Sequence, residues 1–133
     1  MTQSHIQKLR LIAFHRQHCL CFYCGLPIWE EAVEQFASAH GISNAQANLL
    51  KCTAEHLIAE RDGGQATPGN IVAACAWCNR RRHAGRPHKA PDAPTYRCRV
   101  AKRMAMGKWH PTGLAAVFKR NGHACYAPKM PEC

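Results

Sequence analysis

The chain has 133 residues and a formal net charge of +10 at pH 7, a length that suits one domain with a modest hydrophobic core. No run of about 18 apolar residues is present and no apolar signal segment opens the chain, so we expect a cytoplasmic protein without a membrane partner. Residues 80–133 hold thirteen Lys/Arg and two Asp/Glu, whereas residues 1–79 hold five and six. This concentrated positive charge favours nucleic acid as the partner.

The first fifty residues are predicted to form three helices around a cysteine turn. Apolar side chains at helical spacing predict an amphipathic helix over residues 4–18. A C-x-x-C turn follows at residues 21–24. A second helix is expected over residues 29–40, and Ser43 is expected to cap a short third helix over residues 44–50.

The next part of the chain alternates extended segments with one long loop and one helix. Residues 51–57 are expected to be extended, and a turn-rich loop of about ten residues follows them. A short apolar segment at residues 70–74 leads into the second C-x-x-C pair. Residues 77–85 are typical of a helix whose exposed face carries Arg80, Arg81 and Arg82. A basic segment at residues 96–108 fits another helix, and the tail beyond it shows no clear pattern.

Nine cysteines are an odd and high number for so short a chain, and clustered cysteines in a reducing compartment usually bind metal. Cys21 with Cys24, and Cys75 with Cys78, each offer two thiolates to one tetrahedral Zn²⁺. A closed site of this kind is structural, and by itself it fits any zinc-ribbon or treble-clef module without catalysis. The other cysteines are interpreted as mostly free thiols: Cys19, Cys52, Cys98, Cys125 and Cys133. Of these, Cys19 is the one that could compete for the metal at the first C-x-x-C pair.

Between the two cysteine pairs the chain carries Glu55-His56, a Gly-Gly loop, Gly69-Asn70-Ile71, and then Asn79 followed by basic residues. Over residues 21–85 this order resembles the HNH endonuclease family, in the subgroup whose ββα-metal motif is tied by four cysteines. The resemblance implies an α+β fold: a small zinc-stabilised, treble-clef-like ββα-metal (His-Me finger) core with flanking helices. We expect the HNH nuclease domain to cover residues 1–90 and a basic extension to cover residues 91–133.

The resemblance also implies a phosphodiester hydrolase that uses Mg²⁺, Mn²⁺ or another divalent cation. His56 corresponds to the general base, and Asn70 to the residue that braces the loop and orients that histidine. Glu55 and Asn79 correspond to metal ligands, and His83 is a possible further ligand because it lies one helical turn after Asn79. Glu55 departs from the Asp or His that usually precedes the base, and its extra methylene shifts the carboxylate outward.

The expected substrate is DNA, preferably double-stranded and held through its minor groove and phosphates, with RNA as a possibility. The candidate phosphate contacts are basic residues on and after the second cysteine pair: Arg80, Arg81, Arg82, Arg86, Arg97, Arg99, Lys102 and Arg103. Both a monomer and a homodimer remain compatible with the sequence. The alternatives are a non-catalytic zinc module that binds nucleic acid, and a thiol-redox or metal-sensing protein that uses the spare cysteines.

Overall fold

The computed structural model describes residues 4–84 and 90–120. Within them the chain is an α+β protein with one two-stranded antiparallel sheet and two short 3-10 turns, at Glu60–Asp62 and Pro111–Gly113. The elements in chain order are α1 (His5–Arg16), α2 (Val33–His40), α3 (Asn44–Asn48), β1 (Cys52–His56), β2 (Ile71–Cys75), α4 (Ala76–His83), α5 (Ala93–Ala105) and α6 (Leu114–Arg120). None of these helices is long and apolar enough to cross a membrane.

Strands β1 and β2 form a hairpin that continues directly into α4. Cys52 lies opposite Cys75 and His56 lies opposite Ile71 in the antiparallel register. Cys75 ends β2 and also caps α4, since its Sγ accepts a hydrogen bond from the backbone N–H of Cys78 at 3.3 Å. These three elements are the ββα unit that the resemblance implies, and the α+β fold class is confirmed.

The first C-x-x-C turn lies against β2. Cys21 N–H donates to the carbonyl of Leu26 at 2.9 Å and Gly25 N–H donates back to the carbonyl of Cys21 at 3.0 Å, which closes the turn. Gly25 adopts a φ of 74° there, a conformation that glycine takes without steric cost. Phe22 N–H donates to the carbonyl of Ala73 at 2.9 Å, so the turn is fixed beside the strand that leads to the second cysteine pair.

Helix α1 covers the sheet, and Arg16 and Gln17 at its C-terminal end hydrogen-bond to β2. Gln17, just past the helix end, donates from Nε2 to the carbonyls of Leu20 and Ala73 and accepts at Oε1 from Ala73 N–H, all within 2.9 Å. The helix begins where Ser4 and Gln7 form a capping box, a pair of reciprocal hydrogen bonds that satisfies its first N–H groups. The helix contributes Ala13 and Phe14 to the hydrophobic core.

The helices after residue 90 share this core. Tyr96 and Val100 of α5, and Leu114 and Phe118 of α6, are buried in the same cluster as the cysteine turn and β2. The basic segment therefore packs against the ββα unit wherever the structure describes it. The division at residue 90 stays a prediction.

Helix α2 begins at Val33, four residues later than the sequence pattern predicts. Trp29 is instead extended: its N–H donates to the carbonyl of Leu50 at 3.3 Å, and its carbonyl accepts from Cys52 N–H at 2.9 Å. Its indole Nε1 also donates to the carbonyl of Ala47 at 2.7 Å. Tertiary hydrogen bonds thus override the local helical preference at this position.

His110 is a buried histidine without a polar partner. It is only 7 % exposed, its ring centroid lies 6.3 Å from that of Trp77, and neither ring nitrogen has a hydrogen-bond partner among the described residues. Burial lowers the pKa of His110 to about 4, although the charge of Cys21 acts in the opposite direction.

We expect His110 to make the fold sensitive to mild acid. Because its folded pKa of about 4 lies below the unfolded value of roughly 6.5, its full contribution is present above pH 6.5 and is lost as the pH falls towards 4. Between pH 7 and pH 5 this should cost about 2 kcal/mol. Urea unfolding of the zinc-loaded protein and of His110→Leu should show a shallower pH dependence for the variant; equal dependences would contradict the assignment.

Candidate active site

Four cysteine sulfurs meet at the junction of the first turn, β2 and α4. The Sγ atoms of Cys21, Cys24, Cys75 and Cys78 all lie within 4.8 Å of one another, and all four residues are buried. Tetrahedral Zn–S bonds of about 2.3 Å place sulfurs about 3.8 Å apart, close to the 4.0 Å between the sulfurs of Cys24 and Cys75. The donor set and spacing fit one structural Zn²⁺, as the sequence predicts.

N–H groups point at these sulfurs and stabilise negative charge on them. Cys75 N–H donates to Cys21 Sγ at 3.2 Å, and the indole Nε1 of Trp109 donates to Cys78 Sγ at 3.2 Å. Trp109 belongs to the C-terminal segment, so that segment contributes directly to the surroundings of the metal site. Such outer hydrogen bonds orient the ligands of a metal and tune its affinity.

Burial alone would keep most of these thiols protonated. Desolvation raises the pKa of Cys24, Cys75 and Cys78. Burial also opposes ionisation of Cys21, but hydrogen bonds from the other three thiols lower its pKa well below the usual value. A bound Zn²⁺ supplies the positive charge that four buried thiolates require.

The remaining cysteines lie outside this cluster. Cys19 is half-buried, Cys52 is buried, and both are free thiols; burial raises the pKa of Cys52 to about 12. Cys98 forms a disulfide bond, so its interpretation as a free thiol was wrong. Cys125 and Cys133 lie outside the described residues.

Replacing one cluster cysteine should unfold the protein. Zinc held by thiolates contributes about 10 kcal/mol or more, which is comparable with the entire stability of a small domain. Cys75→Ser should therefore lose bound zinc and most of its helical circular dichroism. Cys19→Ser is the matched control and should keep one zinc per chain, as measured by elemental analysis; zinc loss in that variant would contradict the ligand set.

A cleft of about 400 Å³ lies between β1, the first 3-10 turn and α4. It brings together four of the side chains that the sequence analysis selected, Glu55, His56, Asn79 and His83, and it adds Glu60. The β1 strand supplies the first pair and the helix supplies the second, because Asn79 and His83 lie one turn apart on the same face.

Glu55 is a buried carboxylate, only 2 % exposed. Its Oε2 accepts a hydrogen bond from the hydroxyl of Tyr23 at 3.1 Å and lies 3.3 Å from Nη1 of Arg82. Its Oε1 lies 3.1 Å from Nε2 of His83. Burial and the Glu55 charge raise the pKa of Tyr23, which keeps the hydroxyl protonated and able to donate. Thus Oε2 of Glu55 interacts with Tyr23 and Arg82, and Oε1 interacts with His83.

Arg82 is buried, which corrects the expectation that it lies on the exposed face of α4 and contacts phosphate. It is 4 % exposed, and it donates to the backbone carbonyls of His56 at 2.9 Å, Leu57 at 3.1 Å and Pro91 at 3.0 Å. The reason is helical spacing: Arg82 follows the inward-facing Cys78 by one turn. Its guanidinium holds the end of β1 in place, next to Glu55.

One ring nitrogen of His56 makes no hydrogen bond to the described residues. The Nε2 atom is buried and has no hydrogen-bond partner within the described part of the chain, and Oε1 of the exposed Glu60 lies 3.6 Å from it. Since His56 lines the cleft, this lone nitrogen is in position to exchange a proton with a group bound there.

Asn70 lies outside the cleft and clasps the loop that follows His56. Its Oδ1 accepts from Ile58 N–H at 2.8 Å, and its Nδ2 donates to the carbonyls of Ile58 at 3.0 Å and Gln65 at 2.9 Å. Gly64 completes the clasp, since a Cβ at this position would stand 1.7 Å from the carbonyl oxygen of Ile58. This geometry matches the bracing role that the resemblance implies for Asn70.

Asn79 ties α4 to β1 through one end of its amide. Nδ2 donates to Thr53 Oγ1 at 3.1 Å and to the carbonyl of Ala54 at 3.3 Å. The amide oxygen makes no hydrogen bond to any described residue and is the atom that could bind a cation.

Two donors in the cleft, Glu55 and His83, lie at a separation that one hard divalent cation could bridge. Adjacent ligands in an octahedral site with bonds of about 2.1 Å lie about 3 Å apart, and Glu55 Oε1 lies 3.1 Å from His83 Nε2. The residues that would hold the cation are Glu55 and His83, with the Asn79 amide oxygen as a third candidate ligand, and the bound cation would supply positive charge to a phosphate. The positive guanidinium of Arg82 already pairs with Glu55, so the carboxylate would attract such a cation less strongly.

A scan against protein-family models matches residues 21–85 to the HNH endonuclease family. The chain carries an HNH domain. Comparison of the chain with curated proteins and with solved structures gave no significant match. The matched segment begins at the first cluster cysteine and ends just after α4, so it contains both the cysteine site and the cleft.

The basic residues around the HNH domain differ in their surroundings. Arg80 and Arg81 on α4 are exposed, as are Arg99, Lys102 and Arg103 on α5. Arg97 is half-buried, with its guanidinium 4.1 Å from the ring centroid of Phe22, and burial lowers its pKa. Arg86 lies outside the described residues.

The sequence analysis did not assign Tyr23 or Glu60 to the site, and it did not predict that Arg82 is buried. The spacing of four between Cys78 and Arg82 was a usable signal, because a zinc ligand must face inward. Tyr23 lies inside the C-x-x-C turn, and nothing in the local sequence indicates that its hydroxyl reaches Glu55. Glu60 had no signal, since its approach to His56 depends on how the loop turns.

Removing the guanidinium of Arg82 should destabilise the HNH domain strongly. Arg82→Met leaves the buried Glu55 carboxylate without its guanidinium partner and removes the hydrogen bonds to three backbone carbonyls, and breaking a buried pair in this way typically costs about 3–5 kcal/mol. The control Arg80→Met, an exposed residue on the same helix, should change stability by less than about 0.5 kcal/mol. Urea unfolding measures both, and adding Glu55→Gln to Arg82→Met should recover part of the loss. Equal small effects at both arginines would contradict the buried ion pair.

Proposed function

We propose that this protein is an HNH endonuclease that hydrolyses phosphodiester bonds in DNA with the help of one divalent cation, Mg²⁺ or Mn²⁺ being the usual choices. The observation that carries the proposal is that one cleft holds both His56 Nε2, which makes no hydrogen bond to the described residues, and the Glu55–His83 donor pair 3.1 Å apart. A base and a cation site side by side are what in-line attack of water on a phosphodiester requires.

Four residues of the cleft and two residues beside it have defined tasks in this proposal. His56 Nε2 takes the proton from the attacking water. Glu55 Oε1, His83 Nε2 and the Asn79 amide oxygen would hold the cation, which when bound neutralises charge on the scissile phosphate and the leaving oxygen. Arg82 and Asn70 hold the backbone at His56 and just after it, which limits the movement of the imidazole in the cleft.

The substrate side of the proposal rests on charge. The exposed arginines and lysine of α4 and α5 give the domain a basic surface next to the cleft, suited to the phosphates of double-stranded DNA. RNA offers the same phosphates and is the second substrate to test. A single site of this kind nicks one strand, so double-strand cleavage requires either two events or a homodimer. We place this activity in the cytoplasm.

Replacing the base should abolish cleavage and leave the fold intact. His56→Ala should lower the rate of supercoiled-plasmid nicking by at least about a hundredfold, the usual contribution of a general base, while zinc content and thermal stability stay near those of the unchanged protein. His15→Ala, an exposed histidine on α1, is the matched control and should nick normally. Assays should include Mg²⁺, Mn²⁺ and a chelator arm.

One observation favours a second function, a non-catalytic zinc module that binds nucleic acid. The Arg82 guanidinium, 3.3 Å from Glu55, already compensates the carboxylate charge without a cation. On this alternative the folded, zinc-loaded protein binds DNA but cuts neither DNA nor RNA with any divalent cation, and His56→Ala changes nothing. That result would reject the endonuclease.

A further inference from the structure

A second cavity, of about 310 Å³, lies between α4 and α5. It shares no lining residue with the cleft. Four arginines and no acidic side chain line it: Arg81, Arg82, Arg99 and Arg103. The other lining residues are Ala84, Pro91, Tyr96 and Trp109. The buried rings of Tyr96 and Trp109 contribute the apolar part of the wall.

Three of the four arginines bring uncompensated charge to this cavity. Arg99 and Arg103 lie one turn apart on α5, and Arg81 approaches from α4. None of the three forms an ion pair with any residue in the ranges 4–84 and 90–120. Like charges gathered around one cavity repel one another, and a bound anion would convert that repulsion into attraction.

The arginine side chains are also partly ordered by their surroundings. The guanidinium of Arg81 lies 5.3 Å from the ring centroid of Trp77, a cation–π contact that limits its freedom. Arg82, the fourth arginine, belongs to the wall, but Glu55 compensates its charge. Arg82 therefore separates this cavity from the cleft by the thickness of a single side chain.

We infer that the cavity between α4 and α5 is a phosphate-binding pocket that holds a nucleic-acid phosphate other than the scissile one, through Arg81, Arg99 and Arg103. Guanidinium groups bind phosphate oxygens in pairs of parallel hydrogen bonds, and three arms from two helices can surround a tetrahedral group. The inference rests on the proposed nucleic-acid partner, but it does not require cleavage.

The test is a binding measurement on the full, zinc-loaded chain without divalent cations, so that no strand is cut. Anisotropy of a fluorescent DNA duplex should show about tenfold weaker binding for Arg99→Ala and for Arg103→Ala. Lys8→Ala and Lys119→Ala remove the same charge from exposed positions on α1 and α6, outside the pocket and outside the proposed DNA surface, and should weaken binding by about twofold or less. The slope of log affinity against log salt should fall by about one for each pocket variant.

Two further comparisons show which phosphate is bound and whether a loss of binding comes from misfolding of a variant. A duplex with 5′-phosphates that binds tighter than its 5′-hydroxyl form, in the unchanged protein but not in Arg99→Ala, identifies a terminal phosphate; equal binding of the two forms identifies an internal one. Arg99→Lys keeps the charge and loses the paired hydrogen bonds, so its affinity should lie between those of the unchanged protein and Arg99→Ala. Thermal unfolding must be unchanged in the variants that are compared.

Equal losses for all four alanine variants would overturn the pocket in favour of diffuse charge attraction, and so would a failure to bind DNA. Neither result depends on the nicking assay with His56→Ala, which tests the endonuclease separately. Selective loss at Arg99 and Arg103 in a protein that never cuts would support the pocket and reject the enzyme.

Discussion

The convergence of four buried sulfurs is the constraint on which the rest of this structure depends. A two-stranded sheet with short helices buries too little apolar surface to be stable alone. The cysteine cluster compensates by joining the turn at residues 21–24 to the end of β2 and the start of α4. Everything that gives the cleft its chemistry lies on the hairpin and helix that this junction anchors.

The junction and the cleft share side chains, so they are coupled chemically as well as spatially. Tyr23 stands between two cluster cysteines and donates to Glu55, while Arg82 follows a third cluster cysteine by one turn and pairs with the same carboxylate. Glu55 is therefore positioned by groups whose own placement depends on the sulfur cluster. The low polarity of the interior strengthens each of these interactions and makes an unpaired member costly.

Much of this architecture could be predicted from spacing alone. The two C-x-x-C pairs indicated the cluster, and the period of four between Asn79 and His83 placed both on the cleft. Tertiary contacts decided what local pattern could not. Trp29 is extended because Leu50 and Cys52 hydrogen-bond its backbone, and Glu60 reaches His56 because of the path of a loop. The row Arg80-Arg81-Arg82 looks uniform in sequence, yet one member is interior and two are at the surface, since adjacent helical residues point about 100° apart.

The clasp formed by Asn70 has a consequence for how such a domain can diversify. Because Asn70 holds Ile58 across the base of the loop, the pairing of β1 with β2 does not depend on the length of the loop tip. Residues 61–63 are exposed, and Arg61 borders the cleft. Extra sequence inserted there would extend beside the opening of the cleft without shifting the strand register. The loop tip can therefore accept insertions and change the surroundings of the cleft while the residues of β1 and α4 that line it stay in place.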